Sequence, residues 1–276
     1  MRPLSKVYTA LIFVILYAPI AVMVLFSFNS INSTGVFAGF STYWYRELFR
    51  DGAALAALKN TLVLAVSSSL IATIIGTVAA VGIFKLKSRA AKSAIMTVTN
   101  IPMMNPDIVT GISMMLLFVF VCVRLAGAAS LSFATVLIAH ITFNLPYVIL
   151  SVMPKLRQMD KHLTEAALDL GCTPLQAFFK VELPSIMPGV VSGLIMAFTL
   201  SLDDFVISYF TTGSGFETLP IRIYSMTKKR VTPDMYALST LIFIAVLALL
   251  VLSNLAGSKS EKKSHAKVPA PTEVTK

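Results

Sequence analysis

The sequence predicts an all-α polytopic membrane protein with six transmembrane helices. Of its 276 residues, 56% are hydrophobic and only 13% are charged, and the mean hydropathy is +0.80. Soluble domains have a lower apolar share and about twice this charged share. Most of the chain falls into apolar stretches long enough to cross a hydrocarbon core of ~30 Å. The composition therefore excludes an ordinary soluble domain.

The first two predicted spans are apolar stretches without charge at 7–28 and 61–84. The first is longer than the apolar region of a signal peptide and no small-residue cleavage site follows it, so we expect an uncleaved helix. The second is rich in Ser, Ala, Thr and Gly, which permits close contact between helices. The polar segment between them contains an aromatic cluster that includes Tyr43 and Trp44.

The third predicted span, 100–124, belongs to a 31-residue stretch, Ser93 to Val123, in which Asp107 is the one charged residue. This length exceeds the ~20 residues that a straight span needs. Two prolines, Pro102 and Pro106, interrupt the stretch near its middle. The segment is therefore either a broken span or an interfacial helix followed by a span.

The last three predicted spans are separated by one long polar loop and end in a polar tail. We place the fourth span at 131–152, the loop at 153–185, the fifth span at 186–210 and the sixth at 236–256. The lysine-rich tail, 258–276, is expected to be disordered because it lacks apolar residues to bury.

The basic residues give the expected orientation. The formal net charge of +10 would indicate nucleic acid in a soluble chain, but here the positive charges lie mostly in short loops and the tail. Cytoplasmic loops carry an excess of Lys and Arg. With both termini cytoplasmic, fifteen of the 23 Lys and Arg residues fall on the cytoplasmic side. The loop between the fifth and sixth spans disagrees, since it contains Arg222, Lys228, Lys229 and Arg230.

The loop at 153–185 contains a spaced motif. Glu165, Ala166 and Ala167 are followed by Gly171, and then by Val181, Leu183 and Pro184. A helix-favouring first half, a glycine that can end a helix and a closing proline predict a short helix-turn-helix on the membrane surface. Small side chains permit close approach by another protein, and the glutamate offers a charge to a basic partner.

This spacing resembles the coupling loop of the permease subunits of bacterial ABC importers. The resemblance implies that Glu165, Ala166, Ala167, Gly171, Leu183 and Pro184 contact an ATPase subunit. Val181 stands where isoleucine is usual. The alternative is a connecting amphipathic helix whose alanines only make internal contacts.

Three carboxylates lie inside predicted spans: Asp107, Asp203 and Asp204. Each costs on the order of 3 kcal/mol near the bilayer centre and needs a partner or a wet cavity. We place Asp203 and Asp204 within a continuous fifth helix, pointing about 100° apart, so that one faces a transport path while the other pairs with a neighbouring helix. A structural ion pair is the alternative. Carboxylates along a water-filled path favour a cationic substrate.

Other polar and aromatic residues are compatible with more than one role. Asp107 follows Asn105 and Pro106, the signature of a helix start, so it either caps a helix or lines the path. Ser201 is a candidate hydrogen-bond partner on the path. Trp44 is either an interfacial residue or, near the entrance, an aromatic face for an amine. We expect His140, inside the fourth span, to be satisfied by its surroundings rather than to bind a ligand.

The sequence contains no phosphate-binding glycine motif of an ATPase, no metalloprotease motif and no dinucleotide fingerprint. We therefore expect no cofactor on this chain, no metal site and no enzyme activity of its own. The two cysteines have no metal-site spacing and are expected to be inert.

Several segments together resemble the second-permease type of bacterial spermidine/putrescine ABC importers, in the binding-protein-dependent transport family. They include Ser27–Ser30, Pro106–Val109 and Phe198–Asp204. The resemblance implies the ABC type I importer permease fold in a bacterial inner membrane. It also implies a homologous second permease, two ATPase subunits that bind ATP and Mg, and a periplasmic or lipid-anchored polyamine-binding protein. No nucleic-acid partner is implied.

Two other functions are compatible with the sequence. The first is an importer permease for another cationic or small solute, which competition by polyamines would distinguish. The second is a non-transporting membrane scaffold that recruits a cytoplasmic partner through the loop, which predicts no substrate flux. An intramembrane enzyme is disfavoured because no nucleophile with a base or metal set is visible.

Overall fold

The computed structural model describes residues 3–33, 35–125, 127, 130–213, 215–228 and 232–265. These residues form α-helices and two π-helical turns, with no β-strand beyond an isolated bridge between Asn29 and Phe40. The chain divides into two compact units. The first comprises Met1–Thr61 and Glu217–Ala248, and the second Leu62–Phe216 and Leu249–Lys276. An all-helical fold suits a membrane because a helix satisfies its backbone groups within its own segment.

The α-helices are, in chain order, α1 (Pro3–Phe26), α2 (Tyr43–Leu48), α3 (Gly52–Lys85), α4 (Arg89–Met104), α5 (Asp107–Phe118), α6 (Phe133–Gln158), α7 (Lys161–Asp169), α8 (Pro174–Ala177), α9 (Leu183–Asp203), α10 (Val206–Thr211), α11 (Leu219–Thr227) and α12 (Pro233–His265). The π-helical turns cover Val119–Leu125, after α5, and Phe178–Glu182, between α8 and α9.

Four helical segments of the described chain are long and apolar enough to cross a membrane: Lys6–Phe26, Gly52–Lys85, Phe133–Gln158 and Pro174–Asp203. They correspond to the first, second, fourth and fifth predicted spans. The third predicted span is a bent pair of helices, and the sixth lies within α12, of which Pro233–Ala248 is the apolar segment with described side chains. The helical, polytopic architecture is confirmed, while the count of six spans stays a prediction.

Helix α3 begins at Gly52, nine residues before the predicted start of the second span. Its first turn is capped by Asp51, whose Oδ1 accepts the backbone N–H of Ala53 at 2.9 Å. The residues that follow are mostly Ala and Leu, which favour helix. Burial acts to raise the pKa of Asp51, but the hydrogen bonds from Arg222, Ala53 and Ala54 outweigh it, so this pKa lies below its usual range.

In the first unit, α2 and the start of α3 share a small apolar cluster with α11 and α12. The Thr61 hydroxyl accepts the backbone N–H of Leu219 at 2.7 Å, which fixes the start of α11. Arg222 on α11 donates to the Asp51 carboxylate at 2.8 Å and lies 3.5 Å from that of Glu217. The buried cluster consists of Leu48, Ala54, Ala57, Leu219 and Leu238.

The third predicted span bends by 104° between α4 and α5. The break lies at Asn105 and Pro106, where Asn105 is extended with ψ 140°, as expected of a residue before proline. Pro102, by contrast, lies inside α4. The predicted interruption is confirmed, and one of the two prolines produces it.

The second unit is built around α6, which lies along α9. Glycines allow the close contacts: a Cβ added at Gly189 of α9 would lie 2.8 Å from the Ser151 carbonyl oxygen, and one at Gly76 of α3 would lie 2.7 Å from the Val148 side chain. These contacts agree with the small residues of the second predicted span. The buried cluster around them includes Ala80, Val148, Val152, Leu156, Ile186 and Ala197.

The fifth predicted span, 186–210, is wrong as one continuous helix. The helical segment that covers most of this span starts earlier, at Pro174, and ends at Asp203. Asp204 is extended, with ψ 122°, and α10 starts at Val206. The reason is local: the Asp204 carboxylate accepts the backbone N–H groups of Ile207 and Ser208, which caps a new helix.

The last helix, α12, starts at Pro233 and continues to His265. The predicted sixth span, 236–256, lies inside it, and the first eight residues of the predicted disordered tail are helical. Lys, Glu and Ser follow Gly257, and no proline occurs before Pro269, so nothing in this stretch forces the helix to end. The remainder of the tail, 266–276, lies outside the described residues, as do Lys229 and Arg230.

Candidate functional site

The coupling segment, which we define as residues 160–184, starts with α7 and a glycine turn. The Asp160 carboxylate caps α7 by accepting the His162 N–H at 3.0 Å. The helix ends where Gly171 takes φ +87°. The N–H of Cys172 donates to the Ala167 carbonyl at 3.0 Å, and that of Gly171 to the Leu168 carbonyl at 2.9 Å. This is the Schellman pattern, which needs a left-handed residue and therefore glycine.

A second cap restarts the chain after this turn. The Thr173 hydroxyl accepts the Gln176 N–H at 3.3 Å, and the Gln176 amide oxygen accepts the Thr173 N–H at 3.0 Å. This capping box, with Pro174 in the first helical position, starts α8. The first helix and the glycine turn have the geometry that the sequence predicts, but the second helix is not short, because α8 continues through the π-helical turn into α9. The contact of the segment with an ATPase stays a prediction.

The side chains of the segment divide into an outer and an inner set. Glu165 and Ala166 are exposed, whereas Ala167 is 8% exposed and belongs to the core. The Glu165 carboxylate lies 3.2 Å from His162 Nδ1, in an exposed pair that contributes little to stability. Several large apolar side chains face outward beside them. They are Leu163, Leu168, Leu170, Leu175 and Phe179, and with Glu165 and Ala166 we call them the coupling surface.

The closing residues of the motif, Leu183 and Pro184, form the first turn of α9. Leu183 is partly buried against the core of the second unit, and Pro184 is exposed. Glu182 immediately precedes them and is only 2% exposed. Its Oε1 accepts Lys85 Nζ at 2.9 Å.

Asp204 is the centre of a buried polar cluster rather than a free carboxylate. Besides capping α10, its Oδ2 lies 3.4 Å from Nε2 of His140. The same nitrogen lies 2.9 Å from the Ser208 hydroxyl. Nδ1 of His140 contacts the hydroxyl of Ser201, which is 2.8 Å from that of Ser68. The Asp204 side chain is 10% exposed and that of His140 2% exposed. The cluster therefore joins α3, α6, α9 and α10.

Asp203 differs from its neighbour. It is the last residue of α9, and it is exposed. The prediction that both aspartates occupy mid-helix positions is wrong. Helix α9 ends at Asp203, and Asp204 is extended before α10 begins at Val206. One carboxylate is used by the fold and the other remains accessible.

Asp107 is the first residue of α5 and is exposed, so the predicted helix start is confirmed. Helix α5 packs against α10 at Gly111, where an added Cβ would lie 2.9 Å from the Phe210 ring. All three carboxylates thus belong to the second unit. The structure does not record a direct contact among the described residues that joins Asp107 to Asp203.

Trp44 belongs to the first unit. Its indole N–H donates to the Asn29 carbonyl at 2.8 Å, and Asn29, fully buried, uses its own amide to hold the carbonyls of Ser33 and Val36. The ring of Tyr43 meets that of Trp44 edge to face, with centroids 5.1 Å apart. Trp44 therefore fixes the segment that follows α1, and its N–H is not available to a substrate.

Sequence reasoning did not identify Ser68, Ser208 and Glu182 as site residues, and it assigned no partner to His140. The expectation that His140 is satisfied agrees with the structure. Ionisable residues inside a membrane pair with one another, so the single histidine of the spans could have been matched with the nearby aspartates. The two serines gave no signal, because serine is common in closely packed spans.

Residues 72–258 match the family model described as "Binding-protein-dependent transport system inner membrane component". The putrescine transport system permease protein PotI of Escherichia coli strain K12 is 42% identical over 234 residues, which are 85% of this chain and 83% of that protein. The spermidine/putrescine transport system permease protein PotC of Haemophilus influenzae is 37% identical, over 93% of this chain and 97% of that protein.

Solved structures share the fold at low sequence identity. A bacterial ABC transporter involved in the import of the acidic polysaccharide alginate superposes with a TM-score of 0.67 at 15% identity, covering 92% of this chain and 94% of that one. An inward-facing structure of the MetNI methionine ABC transporter gives a TM-score of 0.59 at 17% identity, covering 81% and 99%. The fold is thus that of ABC importer permeases, and the chain belongs to the family of binding-protein-dependent transport system inner membrane components.

Proposed function

We propose that this chain is the permease subunit of an ABC importer that moves the polyamines spermidine and putrescine across the bacterial inner membrane. One observation carries the substrate class: relatives named as putrescine and as spermidine/putrescine permeases are 36–42% identical over 83–97% of their own lengths. The fold alone does not carry it, because the solved structures with this fold come from importers of alginate and of methionine.

Within the path, Asp203 acts as the carboxylate that meets the substrate amines. Its exposure at the end of α9 supports this role, since an accessible carboxylate beside a water-filled path attracts cations. Asp204 caps α10 and so fixes the backbone next to Asp203. Ser201, two residues before the end of α9, contacts His140. Asp107 adds a second accessible carboxylate at the start of α5. Trp44 offers at most its ring face near the entrance.

ATP and Mg are bound by partner ATPase subunits, because this chain lacks a phosphate-binding motif. The coupling surface supports contact with such a subunit: it is apolar, exposed and carried on two capped helices. A homologous second permease and a polyamine-binding protein complete the transporter. Both termini lie in the cytoplasm, on the same side as the coupling segment, in accordance with the distribution of Lys and Arg.

Uptake of labelled spermidine into proteoliposomes tests this proposal. The vesicles contain the chain with its partner permease, its ATPase and its binding protein, and putrescine serves as the competitor. We expect ATP-driven uptake that Asp203→Asn lowers severalfold without loss of assembly or of ATP hydrolysis. Asp204→Asn is the matched neighbour, and it lowers the amount of folded, assembled chain instead.

Two results would contradict separate parts of the proposal. Normal uptake by the Asp203→Asn assembly would remove this carboxylate from the path. An assembly that hydrolyses ATP in response to its binding protein but transports no polyamine would leave the importer architecture standing and exclude the substrate class.

A further inference from the structure

The ion pair between Lys85 and Glu182 joins two helices that are distant in sequence. Lys85 is the last residue of α3, and Glu182 ends the π-helical turn between α8 and α9. Nζ of Lys85 lies 2.9 Å from Oε1 of Glu182, whose side chain is 2% exposed. The other carboxylate oxygen, Oε2, is buried and has no hydrogen-bond partner in the described part of the chain. The lysine is therefore the principal compensation for this buried charge.

The chain neighbours of Lys85 and of Glu182 belong to one apolar cluster. Ile83 and Phe84 of α3 belong to the same cluster as Phe178 of the π-helical turn and Leu183 of α9. A carboxylate in such surroundings is strongly disfavoured unless its partner stays in place. The Lys85 side chain is 55% exposed, so its end of the pair is accessible while that of Glu182 is not. A displacement of the π-helical turn that separates the two side chains leaves a buried charge unpaired.

The two ends of this ion pair lead to different parts of the second unit. On one side, α7 packs against α8 and against the π-helical turn, so the coupling surface is in contact with the segment that ends at Glu182. On the other side, Lys92 of α4 donates to the Phe84 carbonyl at 3.3 Å and lies 4.9 Å from the centre of the Phe84 ring. The end of α3 is thus tied both to the coupling segment and to α4.

From this geometry we infer that Lys85 and Glu182 are positioning residues that transmit movement of the coupling segment to α3 and α4. The inference rests on the proposed function, since it assumes that an ATPase acts on the coupling surface. The ion pair is a second connection between the coupling segment and the spans, besides the continuous backbone from α8 into α9. Neither residue touches substrate.

The test measures the coupling of ATP hydrolysis to transport in the complete assembly in proteoliposomes. Lys85→Met and Glu182→Gln are compared with Lys87→Met, which removes an exposed lysine two residues away, and with Lys85→Arg, which keeps the charge. We expect the first two variants to lower the spermidine imported per ATP, and the stimulation of ATP hydrolysis by the binding protein, by about fivefold or more. The two control variants should match the wild type.

The double variant Lys85→Met/Glu182→Gln separates loss of transmission from the destabilisation that an unpaired buried carboxylate causes, because it leaves no buried charge. Recovered assembly with coupling still lowered supports the inference, and wild-type coupling in the double variant overturns it. Absence of spermidine uptake by the wild type would contradict the proposed substrate only, since stimulation of ATP hydrolysis by the binding protein still reports on the link.

Discussion

The coupling segment and the Asp204 cluster both use an aspartate to cap a helix, but they differ in how far their acidic side chains are exposed. In the coupling segment, caps at Asp160 and Thr173 fix the backbone, and Glu165 faces outward with an exposed histidine as its neighbour. In the cluster, the carboxylate of Asp204 is itself the cap, and His140 and Ser208 surround it inside the fold.

The difference separates residues that position from residues that act. A side chain whose hydrogen-bonding capacity is used internally is costly to change and contributes through the backbone that it holds. A side chain left exposed on a fixed backbone can be changed with little effect on folding, so its loss reports on function. The same contrast occurs between neighbours, since Asp203 is exposed and the Asp204 side chain is only 10% exposed.

The largest effect on stability is expected for Asp204→Ala. The change removes the acceptor of the Ile207 and Ser208 N–H groups and leaves His140 without its carboxylate neighbour. We expect the free energy of unfolding to fall by about 2–4 kcal/mol. Thermal unfolding of the purified chain in detergent measures this loss. Asp203→Ala is the control, and an equal loss there would contradict the division between the two aspartates.

A smaller loss is expected for Gly171→Ala, because the left-handed backbone at φ +87° costs a residue with a Cβ about 1–2 kcal/mol. No neighbouring atom lies within 4 Å of the added carbon, so the whole effect comes from conformation. Gly82→Ala, at an equally open position inside α3, provides the contrast and should be neutral or stabilising. The same unfolding measurement distinguishes them, and similar results for both would refute the Schellman turn.

Leu170→Ser tests the outer side of the coupling segment. This leucine is 85% exposed, so the change should leave the stability of the isolated chain unaltered. If the ATPase buries it, the affinity between the two subunits should fall by roughly 10–100-fold, which corresponds to the loss of one buried leucine. Binding of the purified ATPase to the permease complex in nanodiscs measures this value. Unchanged affinity would exclude Leu170 from the contact.

Glu165→Gln should have the smallest effect on folding, since the exposed pair with His162 contributes little. Its expected effect is on function alone: ATP hydrolysis continues while uptake falls. Measuring the two rates in the same vesicles gives the coupling ratio. A ratio equal to that of the wild type would show that this carboxylate does not take part in coupling.

The features that the sequence predicts well are those encoded over short distances. The coupling segment is specified by a capping residue, a glycine and a proline at fixed positions, and the break before α5 by Pro106. Apolar length alone predicted the long helices. The aspartates of the apolar stretches were also singled out, because an aspartate in such a stretch is conspicuous.

The features that were missed depend on contacts between distant residues. No local rule shows that His140 on α6 meets Asp204, sixty-four positions later, or that Lys85 reaches Glu182. The break after Asp203 was also missed, although an aspartate followed by apolar residues is a possible helix start. The apolar run through 186–210 gave a continuous helix, and the short-range capping signal was overlooked.

The helical segment Pro174–Asp203 has 30 residues, which at 1.5 Å per residue corresponds to about 45 Å. It connects the coupling segment with the break at Asp203, so it can act as a lever arm. Glu182, its ninth residue, lies near one end and leaves an arm of roughly 32 Å beyond it. A tilt of this arm by about 5° would move Asp203 by roughly 3 Å relative to Glu182, by the same helical rise. A displacement of that size is comparable to a hydrogen-bond length, enough to bring a carboxylate into contact with an amine or to withdraw it.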